Sequence, residues 1–180
     1  FNEQKEVLDY NLKYVREGAV KAGRDLTDYH VTTLTNALVL KAGQKLTDDA
    51  VIERAGSWVV TALHFVYEVW RYTKNDAMVP EYMKGIWEEY SDHVEHFPVP
   101  KEKWHQVLHE GHCSYVPRGE KRFVTPTMIE GTSLVGSASE IAEKIRIAGQ
   151  NGLGEVSLLP PLAHIRETAR DFAQQVIPLV

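Results

Sequence analysis

Apolar side chains recur every three or four residues in residues 5–22, which is the spacing of one face of an α-helix. Gly23 follows directly, and glycine commonly ends helices because it adopts the left-handed backbone conformation at low cost. The pattern therefore predicts an amphipathic helix that ends at Gly23. Its apolar face comprises Leu8, Leu12, Val15, Ala19 and Ala22.

The same spacing extends over residues 48–72 and predicts a helix of up to about seven turns. Three large aromatic residues, Trp58, Tyr67 and Trp70, lie off its apolar face and need a second surface to pack against. The helix is therefore expected to be covered on more than one side. Its apolar face comprises Val51, Ala55, Val59, Ala62, Val66 and Val69.

Shorter helices are predicted in the rest of the chain. One starts after Pro80 and ends before Pro98, and residues 101–108 form another turn or two. Ser137 and Glu140 have the spacing of a capping box, so a helix begins there and leaves through Gly149 and Gly152. The last helix is expected to bury Ile165, Ala169, Phe172 and Val176.

Two segments read as strands of a parallel sheet, residues 30–40 and 155–160. Both are continuous apolar and β-branched runs, as expected where helices cover both faces of a sheet. We expect them to be parallel neighbours. Two strands alone do not make such a sheet, so further strands are expected outside this sequence, and the first residue, Phe1 rather than Met, agrees with that expectation.

Composition narrows the function classes. The chain has 180 residues and a net charge of −5, without a run of Lys or Arg, so nucleic acid is not an expected partner. No apolar run approaches the roughly 20 residues that span a bilayer, and the first residues lack a signal peptide's apolar region. We therefore expect a cytoplasmic protein with no membrane partner. Cys113 is the only cysteine and is expected to be an inert thiol.

The closing stretch LVGSASEIAEKIRIAGQNGLGEVSLLPPLAHIRETARDFAQQVIPLV resembles the end of luciferase-like monooxygenases and their relatives, the F420-dependent methylenetetrahydromethanopterin reductases. The features shared with that family are a capped helix ending in Ala-Gly, a Glu-Val-apolar-Leu-Pro strand and a terminal helix with Phe-Ala. The opening VREGAVKAGRDLTDYHVT also looks like a segment of that family. Together the two stretches cover roughly the first 40 and the last 50 residues.

The resemblance implies an α/β fold that is the C-terminal part of a TIM (β/α)8 barrel, its last two β/α units plus a helical insertion. Residues 1–180 would be one partial domain. Residues 1–40 would hold a helix and strand seven, residues 41–130 the mainly helical insertion, and residues 131–180 helix seven, strand eight and helix eight. Strands one to six would come from elsewhere in the same chain or from a separate one.

The resemblance also implies an oxidoreductase, either a monooxygenase or a reductase, that uses FMN or coenzyme F420 on a small-molecule substrate. TIM barrels place such sites at the carboxyl ends of their strands, and the cofactor supplies the redox chemistry. This chain would contribute part of the substrate pocket. Because its strands have no polar face, the chain is expected to pack against the N-terminal barrel portion or to form a homo-oligomer.

Three histidines, His105, His109 and His112, are the candidate substrate-binding residues, since imidazoles donate, accept and titrate near neutral pH. A metal site is not expected, because Gly111 interrupts the helical spacing and no carboxylate partner is fixed. Exposed or core-edge histidines remain the alternative. His93 is expected on a solvent face, and His64 as a satisfied core histidine.

Gly136 and Ser137 are candidate cofactor-binding residues, because backbone N–H groups at a helix start attract anions. No strand is expected before them, and capping by Ser137 explains the same residues. Arg122 is the third candidate, in a loop with Arg118, Glu120 and Lys121 that either closes over the cofactor or is a solvated turn. No catalytic residue can be named.

Two other functions remain open. One is a hydrolase or lyase on the same barrel, with His105, His109 and His112 carrying acid and base chemistry, because a fold does not determine function. The other is a non-catalytic helical interaction subunit, whose long aromatic-rich helices bind a partner.

Overall fold

The chain folds as an α/β structure around three parallel strands, in a computed structural model that describes residues 3–180. The strands are β1 (Thr32–Val39), β2 (Ser133–Gly136) and β3 (Glu155–Leu158). β1 lies in the centre, with β2 on one edge and β3 on the other. The residues toward the end of β1 are the most buried of the sheet, which explains the apolar run that predicted it.

The predicted pairing of the two apolar segments is confirmed. Thr32 lies opposite Glu155 and Thr35 opposite Leu158, so β1 and β3 are parallel neighbours. The expectation of only two strands is wrong. β2 pairs with the second half of β1, where Asn36 lies opposite Ser133, and it occupies the residues just before Ser137 that were expected to contain no strand.

The three helices with the clearest apolar periodicity are present. Helix α1 covers Lys5–Ala22 and ends at Gly23, whose φ of 61° allows the turn. Helix α2 covers Asp49–Thr73, and helix α3 covers Lys84–Glu95 after a short 3-10 turn at Glu81–Met83. The aromatic residues that lie off the apolar face of α2 find their second surface: Tyr67 packs against aromatic rings of α3, and Trp58 Nε1 donates to the carbonyl of Thr132.

The remaining helices are shorter. They are α4 (Trp104–Leu108), α5 (Pro126–Thr132), α6 (Ala138–Gln150) and α7 (Ile165–Asp171). The chain then continues as a π-helical turn, Phe172–Val176, and a 3-10 turn, Ile177–Leu179.

Helix α6 and the last helix differ in detail from the prediction. Gly149 lies inside α6, and Gly152, at φ 103°, makes the exit alone. The last helix buries Thr168, Phe172 and Val176, whereas Ile165 and Ala169 are exposed. The prediction is therefore confirmed for Phe172 and Val176 and wrong for the first turns of this helix, where Thr168 is the buried residue.

Two apolar cores cover opposite faces of β1. Leu38 points into a large core formed by α2, α3, α4 and α5. Ala37 and Val39 point the other way, into a smaller core with α6 and the π-helical turn. Asn36 fastens β1 to α2, because its Nδ2 donates to the carbonyl of Arg54 at 3.1 Å.

In the strand order β2-β1-β3, the segment that follows β1 and the segment that follows its neighbour β3 leave toward opposite faces of the sheet. After β1 the chain enters α2 on one face, and after β3 it enters α7, whose continuation packs on the other face. A TIM barrel places all its helices outside and fills its interior with side chains from the strands. The described residues therefore form an α/β layer structure and do not by themselves trace a part of a barrel.

One half of the sheet is open to solvent in the described chain. Leu34, on the same face of β1 as Leu38, is 55% exposed, and Leu159 after β3 is also exposed. Helix α2 covers only the carboxyl-terminal half of β1, which explains the difference between Leu34 and Leu38. Within residues 3–180, no helix is both long and apolar enough to cross a bilayer.

Candidate functional site

A crevice of about 520 Å³ opens where β1 and β3 end. One side is the first turn of α2, with Asp49, Ile52 and Glu53, and the opposite side is the loop after β3, with Pro161 to His164. Parallel α/β sheets bind ligands outside the carboxyl ends of adjacent strands whose connections leave toward opposite faces. The crevice lies between α2, which follows β1, and the loop that follows β3, and so corresponds to that position in the topology.

The third wall of the crevice is residues 114–121, which we call the wall segment. It contributes Ser114, Tyr115, Val116 and Lys121. Apolar side chains form much of the surface, and a few polar groups lie among them, which is the usual composition of a small-molecule pocket. The volume also lies within the roughly 300–1,000 Å³ range of such pockets.

Charges of both signs surround the crevice. Lys121 Nζ lies 2.8 Å from Asp49 Oδ1, and this hydrogen bond lowers the pKa of the Asp49 carboxyl. His164 is mostly buried and lies 3.9 Å from Glu53 and 3.7 Å from Glu167. Lys121 and His164 are therefore the two groups that can offer a positive charge or an N–H to a ligand.

Behind His164, a charge network fastens α7 to α2. Arg54, nearly buried, reaches Glu167 and Asp171 at 3.3 Å each. Burial alone would raise the pKa of the Glu167 carboxyl, but the charge of Arg54 and the hydrogen bond from Lys41 outweigh it and lower that pKa. The carboxylate stays ionised, and the loop after β3 is held against the start of α2.

The wall segment is attached to α2 at its start, through Cys113 directly before it and through Val116. The N–H of Cys113 donates to Thr61 Oγ1 at 3.0 Å, and Val116 packs so closely on α2 that a Cβ on Gly56 would come within 2.5 Å of its Cγ2. Only glycine allows this approach. The sulfur of Cys113 lies 3.7 Å from the same Thr61 hydroxyl oxygen.

A buried cluster of titratable groups holds the far end of the wall segment. The side chains of His64 and Glu120 are 1% and 2% exposed, and His64 Nε2 lies 2.8 Å from Glu120 Oε2. The other carboxylate oxygen lies 3.9 Å from His93 Nε2. The expectation of a solvated turn is wrong for Glu120, and so is that of a solvent face for His93, which packs between Phe97 and Phe123.

The cluster lies in an aromatic environment that perturbs its neighbours. Burial lowers the pKa of His93, although the negative charge of Glu120 acts in the opposite direction. Burial also raises the pKa of Tyr90 well above its ordinary value, and the charge of Glu120 adds to that effect. The Tyr90 ring is near His64 and meets Phe123 edge to face. The charge of Glu120 thus affects two titratable groups of α3.

The three histidines expected to bind substrate are all exposed, on α4 and in the residues that follow it. His109 lies 3.4 Å from Glu68, its ring is 5.4 Å from that of His112, and burial together with the nearby His109 lowers the pKa of His112. His105 lines a separate groove with Arg71. In residues 3–180 no group of three His, Cys, Asp or Glu side chains could hold a metal ion.

The predicted cofactor-binding residues are also dispersed. Ser137 caps α6, and the carboxylate of Glu140 already accepts its backbone N–H at 2.7 Å. Gly136 ends β2 beside the same carboxylate. Arg122 pairs with Glu89 on α3 at 3.0 Å, so that Lys121, its neighbour, is the cation that faces the crevice.

Sequence reasoning missed the crevice residues and the buried cluster for one reason. Their members come from distant segments: His64 and Glu120 are 56 positions apart, and the crevice joins residues near 50, 115 and 162. The Pro-Pro loop at the end of the predicted strand was the available signal, because loops at the carboxyl ends of parallel strands form binding sites. Comparison with known proteins gave no match: no protein-family model, curated protein or solved structure is significantly similar to this chain.

Proposed function

We propose that this chain forms part of a flavin- or deazaflavin-dependent oxidoreductase, a monooxygenase or reductase of the luciferase-like kind, and that the crevice between β1 and β3 receives the cofactor's ring system. The observation that carries the proposal is the position of the crevice at the carboxyl ends of these two strands. The resemblance of the chain's closing stretch to luciferase-like enzymes supplies the chemical class.

The strand order gives independent support. Sheets with the order 2-1-3 bind FMN between the first and third strands in flavodoxin-like folds, since the chain turns to opposite faces there. TIM-barrel enzymes likewise bind FMN at the carboxyl ends of their strands. Both analogies favour the same end of the sheet. An analogy of fold supports only a location, so the chemistry of the crevice has to be tested separately.

The crevice suits some parts of FMN or F420 better than others. Ile52, Val116 and Pro161 give apolar surface for a planar ring, and the volume is sufficient for it. The crevice is less suited to the phosphate, because Asp49 and Glu53 are acidic and Lys121 is the nearest cation. The start of α6 does not fit a phosphate well either, since the carboxylate of Glu140 lies there and accepts the N–H of Ser137, while the N–H of Glu140 donates to Ser137 Oγ.

The bound cofactor would supply the hydride or oxygen chemistry, and the chain's own residues bind and orient. Lys121 would meet the phosphate or a polar edge of the ring, leaving Asp49 when it does so. His164, held by Glu53 and Glu167, would present a hydrogen-bonding group to the ligand from the opposite side. The wall segment would shield the ring from water.

Fluorescence titration with FMN and with F420 tests the proposal, because the emission of both cofactors changes when the ring enters an apolar site. We expect saturable binding of one of them. Ala163→Trp places a large ring in the crevice and is expected to abolish binding. Ala22→Trp, at an exposed position at the end of α1, is the matched control and should bind as the unsubstituted protein does.

Two outcomes count against the proposal. If neither cofactor binds at concentrations up to about 1 mM, a free energy of binding near −4 kcal/mol, the oxidoreductase assignment fails. If binding is equally strong in Ala163→Trp, a cofactor site exists elsewhere and the crevice is not part of it.

The barrel is a further part of the proposal. A closed barrel would place more strands beside β2 and β3, supplied by the same chain or by another. The exposed side chains of Leu34 and Leu159 support this. Burying a leucine side chain stabilises a fold or an assembly by roughly 1.5 to 3 kcal/mol, so further strands that cover these two would stabilise the whole. In purified protein, we propose that a second copy covers this face and forms a homo-oligomer.

A further inference from the structure

We propose that Glu120 is a positioning residue for the crevice: held between His64 and His93, it latches the wall segment to the helical core, and proton uptake by this cluster releases the segment. The proposal rests on the proposed function only in treating the crevice as the ligand site. The latch itself is a property of the described chain and can be measured without a ligand.

The geometry makes Glu120 the inner anchor of the wall segment. Its carboxylate enters the core that α2 and α3 share, with one oxygen 2.8 Å from His64 and the other 3.9 Å from His93. Lys121, the next residue, lines the crevice. A movement of Glu120 out of the core therefore moves a crevice residue with it.

The latch involves every element that packs around it. α2 contributes His64, α3 contributes Tyr90, His93 and the weaker charge of Glu89, and the 3-10 turn after Glu120 contributes Arg122. Arg122 and His64 act against a proton on His93, whereas Glu120 and Glu89 favour one. The rings of Phe97 and Phe123 pack against His93 and leave its side chain 20% exposed.

The sign of the pH effect follows from burial. In the closed arrangement burial lowers the pKa of His93, so this imidazole stays neutral. When the wall segment leaves, His93 meets water and recovers its ordinary affinity for a proton. Opening therefore takes up a proton, and it becomes more favourable as the pH falls through about 6.5, the ordinary histidine value.

Amide hydrogen exchange, followed by NMR and corrected for intrinsic rates, measures this opening directly. The reporters are the N–H groups of Cys113, Glu120 and Phe123, which bond to Thr61, Pro117 and Glu120. The reference is the N–H of Ile141 in α6. Between about pH 8 and pH 5.5 we expect the reporters to lose protection relative to Ile141 by up to about tenfold, because the range ends about one unit below the ordinary histidine pKa of about 6.5.

Two variants separate a latch from a merely structural contact. His93→Gln keeps a neutral polar side chain that cannot titrate, so protection should equal that of the unsubstituted protein at pH 8 and should not fall with acid. Glu120→Gln should lose protection at both pH values while Ile141 stays protected. Glu88 is an exposed carboxylate on α3, the helix of His93. Glu88→Gln is therefore the control and should retain the full pH dependence.

The proposal is overturned if the reporters keep constant protection relative to Ile141 over this pH range, or if His93→Gln still loses protection with acid. Neither outcome bears on the result of the cofactor titration, because the exchange measurement contains no cofactor. Conversely, absence of cofactor binding would not alter the exchange result.

Discussion

At the scale of single residues, burial distinguishes the histidines around Glu120 from those expected to bind substrate. His64 and His93 share one buried carboxylate, whereas His105, His109 and His112 lie on the surface. The sequence drew attention to the surface group because its members are close along the chain. Spacing reveals partners only within one helix or strand, so the pairing of His64 with Glu120 could not be predicted.

The electrostatic coupling in this cluster can be tested by titration. Glu120→Gln removes the negative charge that favours a protonated His93, so the pKa of His93, already lowered by burial, should fall further. Glu89→Gln removes a weaker contribution and should lower this pKa less. The ring resonances of His93, followed by NMR against pH, measure both shifts. An unchanged pKa in Glu120→Gln would show that the carboxylate does not act on His93, whereas a rise toward the ordinary histidine value would show that the wall segment of the variant is mostly open.

At the scale of elements, the sequence predicted the helices that have a capping motif or an apolar periodicity within their own residues. The capping box of α6 is present in both its halves, and α1 has the predicted bounds. β2 and α5 were missed because each is short and lies in a stretch rich in Gly, Pro and Thr. Thr125, which caps α5, followed by Pro126 was the available signal, since proline is common in the first turn of a helix.

The cap of α6 gives a prediction for this element. In Ser137→Ala the helix loses a side-chain acceptor for the N–H of Glu140, and the free energy of unfolding should fall by about 1 kcal/mol. Glu140→Gln should lose less, because glutamine also serves at this position of the box. Urea unfolding measures both.

Ser137→Ala should also raise the pKa of Glu140, because the hydrogen bond from the Ser137 side chain lowers that pKa. A lowered carboxyl pKa stabilises the fold above its ordinary value and loses that effect as the pH falls through the lowered one. The stability gap between the unsubstituted protein and Ser137→Ala should therefore narrow in acid. A gap that is independent of pH would contradict this origin of the effect.

At the scale of the whole molecule, the pairing of β1 with β3 was predictable and the architecture was not. Two continuous apolar strands indicate a parallel sheet, but the position of β2 and the helices on both faces depend on contacts between distant segments. The open half of the sheet, with Leu34 at 55% exposure, is the surface that the proposed homo-oligomer would cover.

Sedimentation tests whether that open half is covered in solution. We expect a species larger than the 20.4 kDa chain, and Leu34→Ser should shift it toward the monomer by placing a polar group on the shared face. Leu162→Ser, at a more exposed leucine in the loop after β3, should leave the association unchanged. A stable 20.4 kDa monomer would show that these residues close their own core.

The most direct test of the account is a map of backbone chemical shifts with and without FMN or F420. A cofactor ring in the crevice should move the resonances of residues 49–53, the wall segment and residues 161–164, which line it. The resonances at the start of α6 and around His105 should stay where they are. Shifts confined to those two places, or no shifts with either cofactor, would contradict the claim that the crevice between β1 and β3 is the cofactor site.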